Sequence, residues 1–126
     1  MSLRTPLGRA RGLGSAKDGS SHWWAQRLTS LALVPLVLWF VFSVALMTGA
    51  DHVQFLEWVQ SPVVAGLLIL LISVGLLHSQ QGMQVVIEDY VHGEASKVLS
   101  LFLSLSVHVV LGLTGILSIL MILFRG

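Results

Sequence analysis

The chain has no cysteine and little charge: only 10% of its 126 residues are Asp, Glu, Lys or Arg. The first absence excludes disulfides, thiolate metal sites, cysteine-held iron–sulfur clusters and a thiol nucleophile. The second excludes an ordinary soluble domain, which must cover its outside with polar groups. No GxGxxG fingerprint for a dinucleotide is present. There is no internal repeat in the range of about 20–50 residues and no low-complexity tract. What is abundant is apolar: 55% of the residues are hydrophobic and the mean hydropathy is +0.86.

Three apolar runs, roughly Leu28–Met47, Pro62–Ile87 and Val98–Phe124, contain no Lys, Arg, Asp or Glu. Each reaches the roughly 20 residues needed to cross a hydrocarbon core of about 30 Å. Helices are the expected form, because backbone polar groups in lipid need internal partners and three segments cannot close a barrel. The expected fold is therefore all-α, an integral membrane protein of three transmembrane helices, with Pro35 a potential kink in the first. Arg4, Arg9, Arg11, Lys17 and Arg27 precede the first run against a single Asp18. The first loop, Gly49–Ser61, has Asp51 and Glu57 and no Lys or Arg. The positive-inside rule then puts the N-terminus and the second loop, about Glu88–Lys97, on the cytosolic or matrix side. Residues 1–27 form a basic cytosolic tail and 28–126 a three-helix membrane anchor, with Trp58 placed as an interfacial aromatic. The basic head is read as an orientation signal of a bacterial inner-membrane protein. The alternative is a mitochondrial transit peptide, and so a mitochondrial inner membrane.

Two histidines interrupt the apolar runs: His78 in the second and His108 in the third. An imidazole at membrane depth is costly without a partner, so each is a candidate functional residue. The structural alternative is a neutral ring hydrogen-bonding between helices. Gly75 and Gly82 fall within about 60° of His78 on a helix surface. They clear room of the kind a flat macrocycle needs, or permit close helix packing. Neutral imidazole is a standard axial ligand of haem iron. Ser104, Gly112 and Gly115 share the face of His108. Both histidines lie about 16 Å from the same membrane border. Three readings stay open for His108: ligation of one haem together with His78, a hydrogen bond across helices, or support of a ligand from behind it.

The second run ends in Glu88-Asp89-Tyr90-Val91-His92-Gly93. Asp89 lies three turns plus about 20° beyond His78, on the same helix face. A phenol can donate to a carbonyl oxygen and a carboxylate can relay protons, the two needs of quinone reduction at a membrane edge. The structural alternative is a Tyr anchor with acids in a solvated loop.

The stretch His78–Gly93, HSQQGMQVVIEDYVHG, resembles the signature of the hydrophobic membrane anchor of succinate dehydrogenase (respiratory complex II), of the small cytochrome b type. The matching positions are His78, Gly82, Gln84-Val85-Val86, Asp89 and Tyr90, followed by Val-His-Gly as in mitochondrial and alphaproteobacterial forms. Arg27-x-Thr29 resembles a family Arg-x-Thr at the start of the first span. Ser79-Gln80-Gln81 departs from the family by being more polar than its aromatic-containing versions.

The resemblance implies that His78 is one axial ligand of haem b and its iron, the other coming from a second, companion membrane anchor. Gly82 would pack against the haem, and Tyr90 would hydrogen-bond a ubiquinone carbonyl. Asp89 would support the edge of the quinone site and its proton supply. Arg27 would order that edge or pair with Asp89, and His108 matches no family ligand. The implied partners are the second membrane anchor, an iron–sulfur subunit, a flavoprotein subunit, membrane lipid and ubiquinone, with no nucleic acid. The chain would be non-catalytic alone, a subunit of a succinate:quinone oxidoreductase. Two other readings are an anchor of fumarate reductase or another quinone-linked dehydrogenase, and a small holin-like pore protein lined by Ser104 and His108.

Overall fold

The computed structural model describes residues 5–7 and 16–125, with backbone alone at residues 16–19. Arg4, Arg9 and Arg11 of the basic head lie outside the described residues. Among the described residues from 16 onward, four helices follow in order: α1 (Ala16–Leu46), α2 (His52–Gln60), α3 (Pro62–Tyr90) and α4 (Glu94–Phe124). Three are long and apolar enough to span a membrane, over Ser20–Leu46, Pro62–Tyr90 and Glu94–Phe124. No strand occurs among the described residues. The helices outrun the charge-free runs. At 1.5 Å per residue α3 is about 43 Å long, so its ends project beyond a core of about 30 Å. Pro35 sits inside α1, which continues through it.

The first loop is not wholly irregular, since it folds into the short helix α2. Asp51 accepts the Gln54 backbone N–H at 2.9 Å, and the Asp51 N–H donates to Gln54 Oε1 at 3.0 Å. This reciprocal capping box satisfies two donors that a helix start otherwise leaves orphaned. Gly49, at φ +88°, makes the turn from α1 into that cap. Pro62 holds Ser61 extended and occupies the first position of α3, so one residue separates α2 from α3. At the opposite end only Val91-His92-Gly93 joins α3 to α4, with Glu94 placed favourably in the first turn of α4.

Packing makes a layer with α3 in the middle. It lies against α1 on one side and α4 on the other, while α1 and α4 do not approach each other. The seams are antiparallel and use small residues. A Cβ built at Gly115 would sit 3.1 Å from Ile72 Cδ1, one at Gly112 3.3 Å from Leu76 Cδ1, and one at Gly75 3.8 Å from Leu33 Cδ2. Close approach through glycine is how membrane helices gain van der Waals contact when lipid offers no hydrophobic drive. The hydrophobic core gathers at the α2 end, where Val59, Ala65, Leu68 and Ile119 are buried under Trp39, Trp58 and Ile72. Trp39 and Trp58 stack there, ring centroids 6.0 Å apart.

Gly115→Val adds branched bulk against Ile72 and is expected to cost about 1–3 kcal/mol of stability. The thermal midpoint of the detergent-solubilised protein should fall, whereas Gly66→Ala, whose Cβ meets nothing within 4 Å, should leave it near the parent value. Equal midpoints for the two variants would refute this view of the seam.

Candidate functional site

Toward the end away from α2, polar side chains rather than a buried core bridge the helices. On the α1–α3 seam, Leu33 against Gly75 brings the next turn of each helix into register, and there Thr29 meets His78. Thr29 Oγ1 lies 2.9 Å from the Ala25 carbonyl, 3.0 Å from the Gln26 carbonyl and 3.0 Å from His78 Nδ1. A hydroxyl has one proton, and the two carbonyls can only accept. When that proton is directed to the carbonyls, His78 Nδ1–H donates to Thr29 Oγ1. In that tautomer the lone pair lies on Nε2. A longer contact of 3.4 Å joins Thr29 Oγ1 to Gln81 Oε1. Among the described residues Nε2 of His78 has no hydrogen-bond partner. One turn further on, a Cβ at Gly82 would meet nothing within 4 Å. A neutral imidazole with a free nitrogen beside an uncrowded helix face fits the axial ligation of a haem.

His108 is different. Its Nδ1 is 2.7 Å from the Ser104 carbonyl and its Nε2 is 3.1 Å from Ser79 Oγ. The carbonyl requires Nδ1–H as donor, so Nε2 accepts from the Ser79 hydroxyl. Both nitrogens are engaged, Nδ1 within α4 and Nε2 across the α3–α4 seam, and the cross-helix hydrogen bond is the alternative realised for this residue. The contacts Ser79–His108, Leu76–Gly112 and Ile72–Gly115 form one antiparallel ladder. Gly112 and Gly115 of the stripe are thus turned into that seam, while the Ser104 Oγ is buried without a hydrogen-bond partner among the described residues.

Asp89 and Tyr90 close α3, both exposed, and Tyr90 is 78% accessible. His92 is exposed in the following loop, and Glu88 is tied back by Gln84 Nε2, which donates to Glu88 Oε1 at 2.9 Å. Neither the Asp89 nor the Tyr90 side chain has a hydrogen-bond partner among the described residues. Arg27 is not brought to Asp89. Its guanidinium lies 5.2 Å over the Trp23 ring, a cation–π contact. With Thr29 level with His78, helical rise puts Arg27 about 3 Å and Asp89 about 16 Å beyond that level. Trp23, Gln26, Arg27 and Ser30 line a cleft of about 240 Å³. Sequence reasoning gave no role to Thr29 or Ser79. Their hydroxyls at membrane depth were the available signal, but a partner 49 residues away cannot be read from local spacing.

The family described as succinate dehydrogenase/fumarate reductase transmembrane subunit matches residues 1–121. A succinate dehydrogenase membrane anchor subunit of Reclinomonas americana is 39% identical over 92 residues, covering 69% of this chain and 75% of that protein. The succinate dehydrogenase hydrophobic membrane anchor subunit of Paracoccus denitrificans is 35% identical over 98 residues, covering 78% of this chain and 76% of its own length. Its counterpart in Rickettsia bellii is 37% identical over 90 residues, covering 71% of each. No solved structure matches the chain at a significant level. With three apolar spans and a family match over almost its whole length, the chain belongs to the succinate dehydrogenase/fumarate reductase transmembrane subunits, as a membrane anchor.

Proposed function

We propose that this chain anchors a succinate dehydrogenase in a bacterial or mitochondrial inner membrane, supplies one axial ligand of haem b, and completes a ubiquinone site. The observation that carries the reading is His78, whose Nδ1 lies 3.0 Å from Thr29 Oγ1 while its Nε2 has no hydrogen-bond partner among the described residues, with open space one turn on at Gly82. A flavoprotein and an iron–sulfur protein oxidise succinate and deliver electrons, and a second anchor would complete the haem site opposite His78. Bound at His78, haem b would supply one-electron redox capacity inside the membrane.

The N-terminus and the α3–α4 loop face the cytosol or matrix, so the soluble arm docks at the Tyr90 end. Tyr90 donates its phenolic hydrogen bond to a ubiquinone carbonyl, and Asp89 passes protons from the aqueous edge. Arg27, held over Trp23, lends positive charge on the α1 side of that end. The relatives described above are named for succinate dehydrogenase, which favours that direction over fumarate reduction. A pore lined by Ser104 and His108 is disfavoured, because His108 bonds Ser79 of α3 and the Ser104 Oγ is buried.

The test is purification in mild detergent through a tag on this chain. Co-purification of a flavoprotein, an iron–sulfur protein and a second anchor, with succinate-dependent ubiquinone reduction, is expected. A homo-oligomer without those partners would refute the proposal.

A further inference from the structure

We propose that Thr29 is a positioning residue for haem, setting the donor strength and ring orientation of His78 by accepting its Nδ1 hydrogen bond. The inference rests on the reading of His78 as an axial ligand and goes beyond it. Thr29 Oγ1 lies 3.0 Å from His78 Nδ1 and 2.9 Å and 3.0 Å from the Ala25 and Gln26 carbonyls. With the hydroxyl proton directed to those carbonyls, the oxygen that accepts from the imidazole also donates into the α1 backbone. Donation from the hydroxyl polarises its oxygen and makes it a better acceptor. The backbone bonds fix the rotamer of Thr29, and so the direction from which the ring is held.

Withdrawing the Nδ1 proton toward oxygen gives the ring partial imidazolate character. Greater ligand basicity follows, as for metal-bound histidines that donate their second N–H to a carbonyl or carboxylate. A more basic ligand favours ferric over ferrous iron, so the intact hydrogen bond lowers the midpoint potential. A hydroxyl is a weaker acceptor than a carboxylate, which puts the effect at the low end of those seen for such partners. The expected size is about tenfold in the preference for ferric iron, which is about 59 mV for a one-electron couple.

Three versions of the whole complex are compared: parent, Thr29→Val and Thr29→Ser, with His78→Ala as the control for ligation. Thr29→Val keeps the shape and loses the hydroxyl. It should raise the haem midpoint potential and change the ferric electron paramagnetic resonance signal that reports ring orientation. Thr29→Ser should hold the parent potential and signal. An unchanged potential and signal in Thr29→Val, alongside a changed haem spectrum in His78→Ala, would overturn the role of Thr29 while leaving ligation intact. An unchanged haem spectrum and potential in His78→Ala would instead overturn the ligation reading beneath it. Electron–nuclear double resonance on the parent complex with isotope-labelled histidine needs no variant to assemble. A protonated, hydrogen-bonded remote nitrogen supports the proposal, and a remote nitrogen without such a proton overturns it.

Discussion

His78→Ala is expected to remove the b-type haem band from the purified complex, or to shift both its position and its midpoint potential. Alanine offers no donor, and the chain holds no spare imidazole at that level. His108 is nearby in depth, but its nitrogens are bound to the Ser104 carbonyl and the Ser79 hydroxyl. To ligate in place of His78 it would have to abandon both. Retained haem by itself leaves room for a substitute ligand, so the spectrum and the potential must be read together. If both match the parent complex, the assignment of His78 fails. His108→Ala makes the contrasting case. It should leave the haem spectrum in place and weaken the α3–α4 seam by about 0.6 kcal/mol, the average for hydrogen bonds between membrane helices.

Tyr90→Phe should leave the haem band and the succinate-oxidising arm intact while ubiquinone reduction falls about tenfold or more. The phenol is the last residue of α3 and 78% accessible, free to meet a ligand. Loss of its hydroxyl leaves a quinone carbonyl without its donor, at a cost of about 1–3 kcal/mol. Each 1.4 kcal/mol or so is a factor of ten in rate. The decisive comparison is succinate oxidation with an artificial soluble acceptor against oxidation with ubiquinone. A loss equal for both acceptors, or no loss at all, would remove Tyr90 from the quinone site.

The three spans were legible because each is a charge-free run long enough for the bilayer, a property of composition that tertiary packing cannot override. Helix α2 was not foreseen, although Asp51 and Gln54 stand at capping-box spacing ahead of Phe55 and Trp58. Amid long apolar runs, a segment of nine residues reads as a connection. The candidate residues at the end of α3 were legible by spacing along one helix, where 100° and 1.5 Å per residue suffice. Their surroundings were not. Thr29 and His78 meet through the register of α1 on α3, set by Leu33 against Gly75. The glycines near His78 and His108 looked equivalent in the sequence, yet Gly112 and Gly115 receive Leu76 and Ile72 while Gly82 faces open space. Which helix lies in the middle of the layer decides that difference. Whether Arg27 pairs with Asp89 or only orders that edge depends on the register of α1 on α3, which local spacing does not carry, and helical rise leaves the two about 13 Å apart along the axis.

Physical roles divide along the length of the layer. The α2 end carries the buried apolar cluster and the stacked Trp39 and Trp58. At the level of His78 the helices are instead pinned by hydrogen bonds, Thr29 to α3 and His108 to Ser79. Much of the surface beyond stays apolar and exposed, including Phe42, Met83, Phe102 and Val110. That is the surface expected of an anchor whose remaining contacts come from lipid and from other subunits.

The most direct measurement is a dithionite-minus-oxidised visible spectrum of the complex purified through a tag on this chain. The expected result is a b-type α band, accompanied by the flavoprotein, the iron–sulfur protein and a second anchor. A colourless, homo-oligomeric product lacking those partners would contradict it.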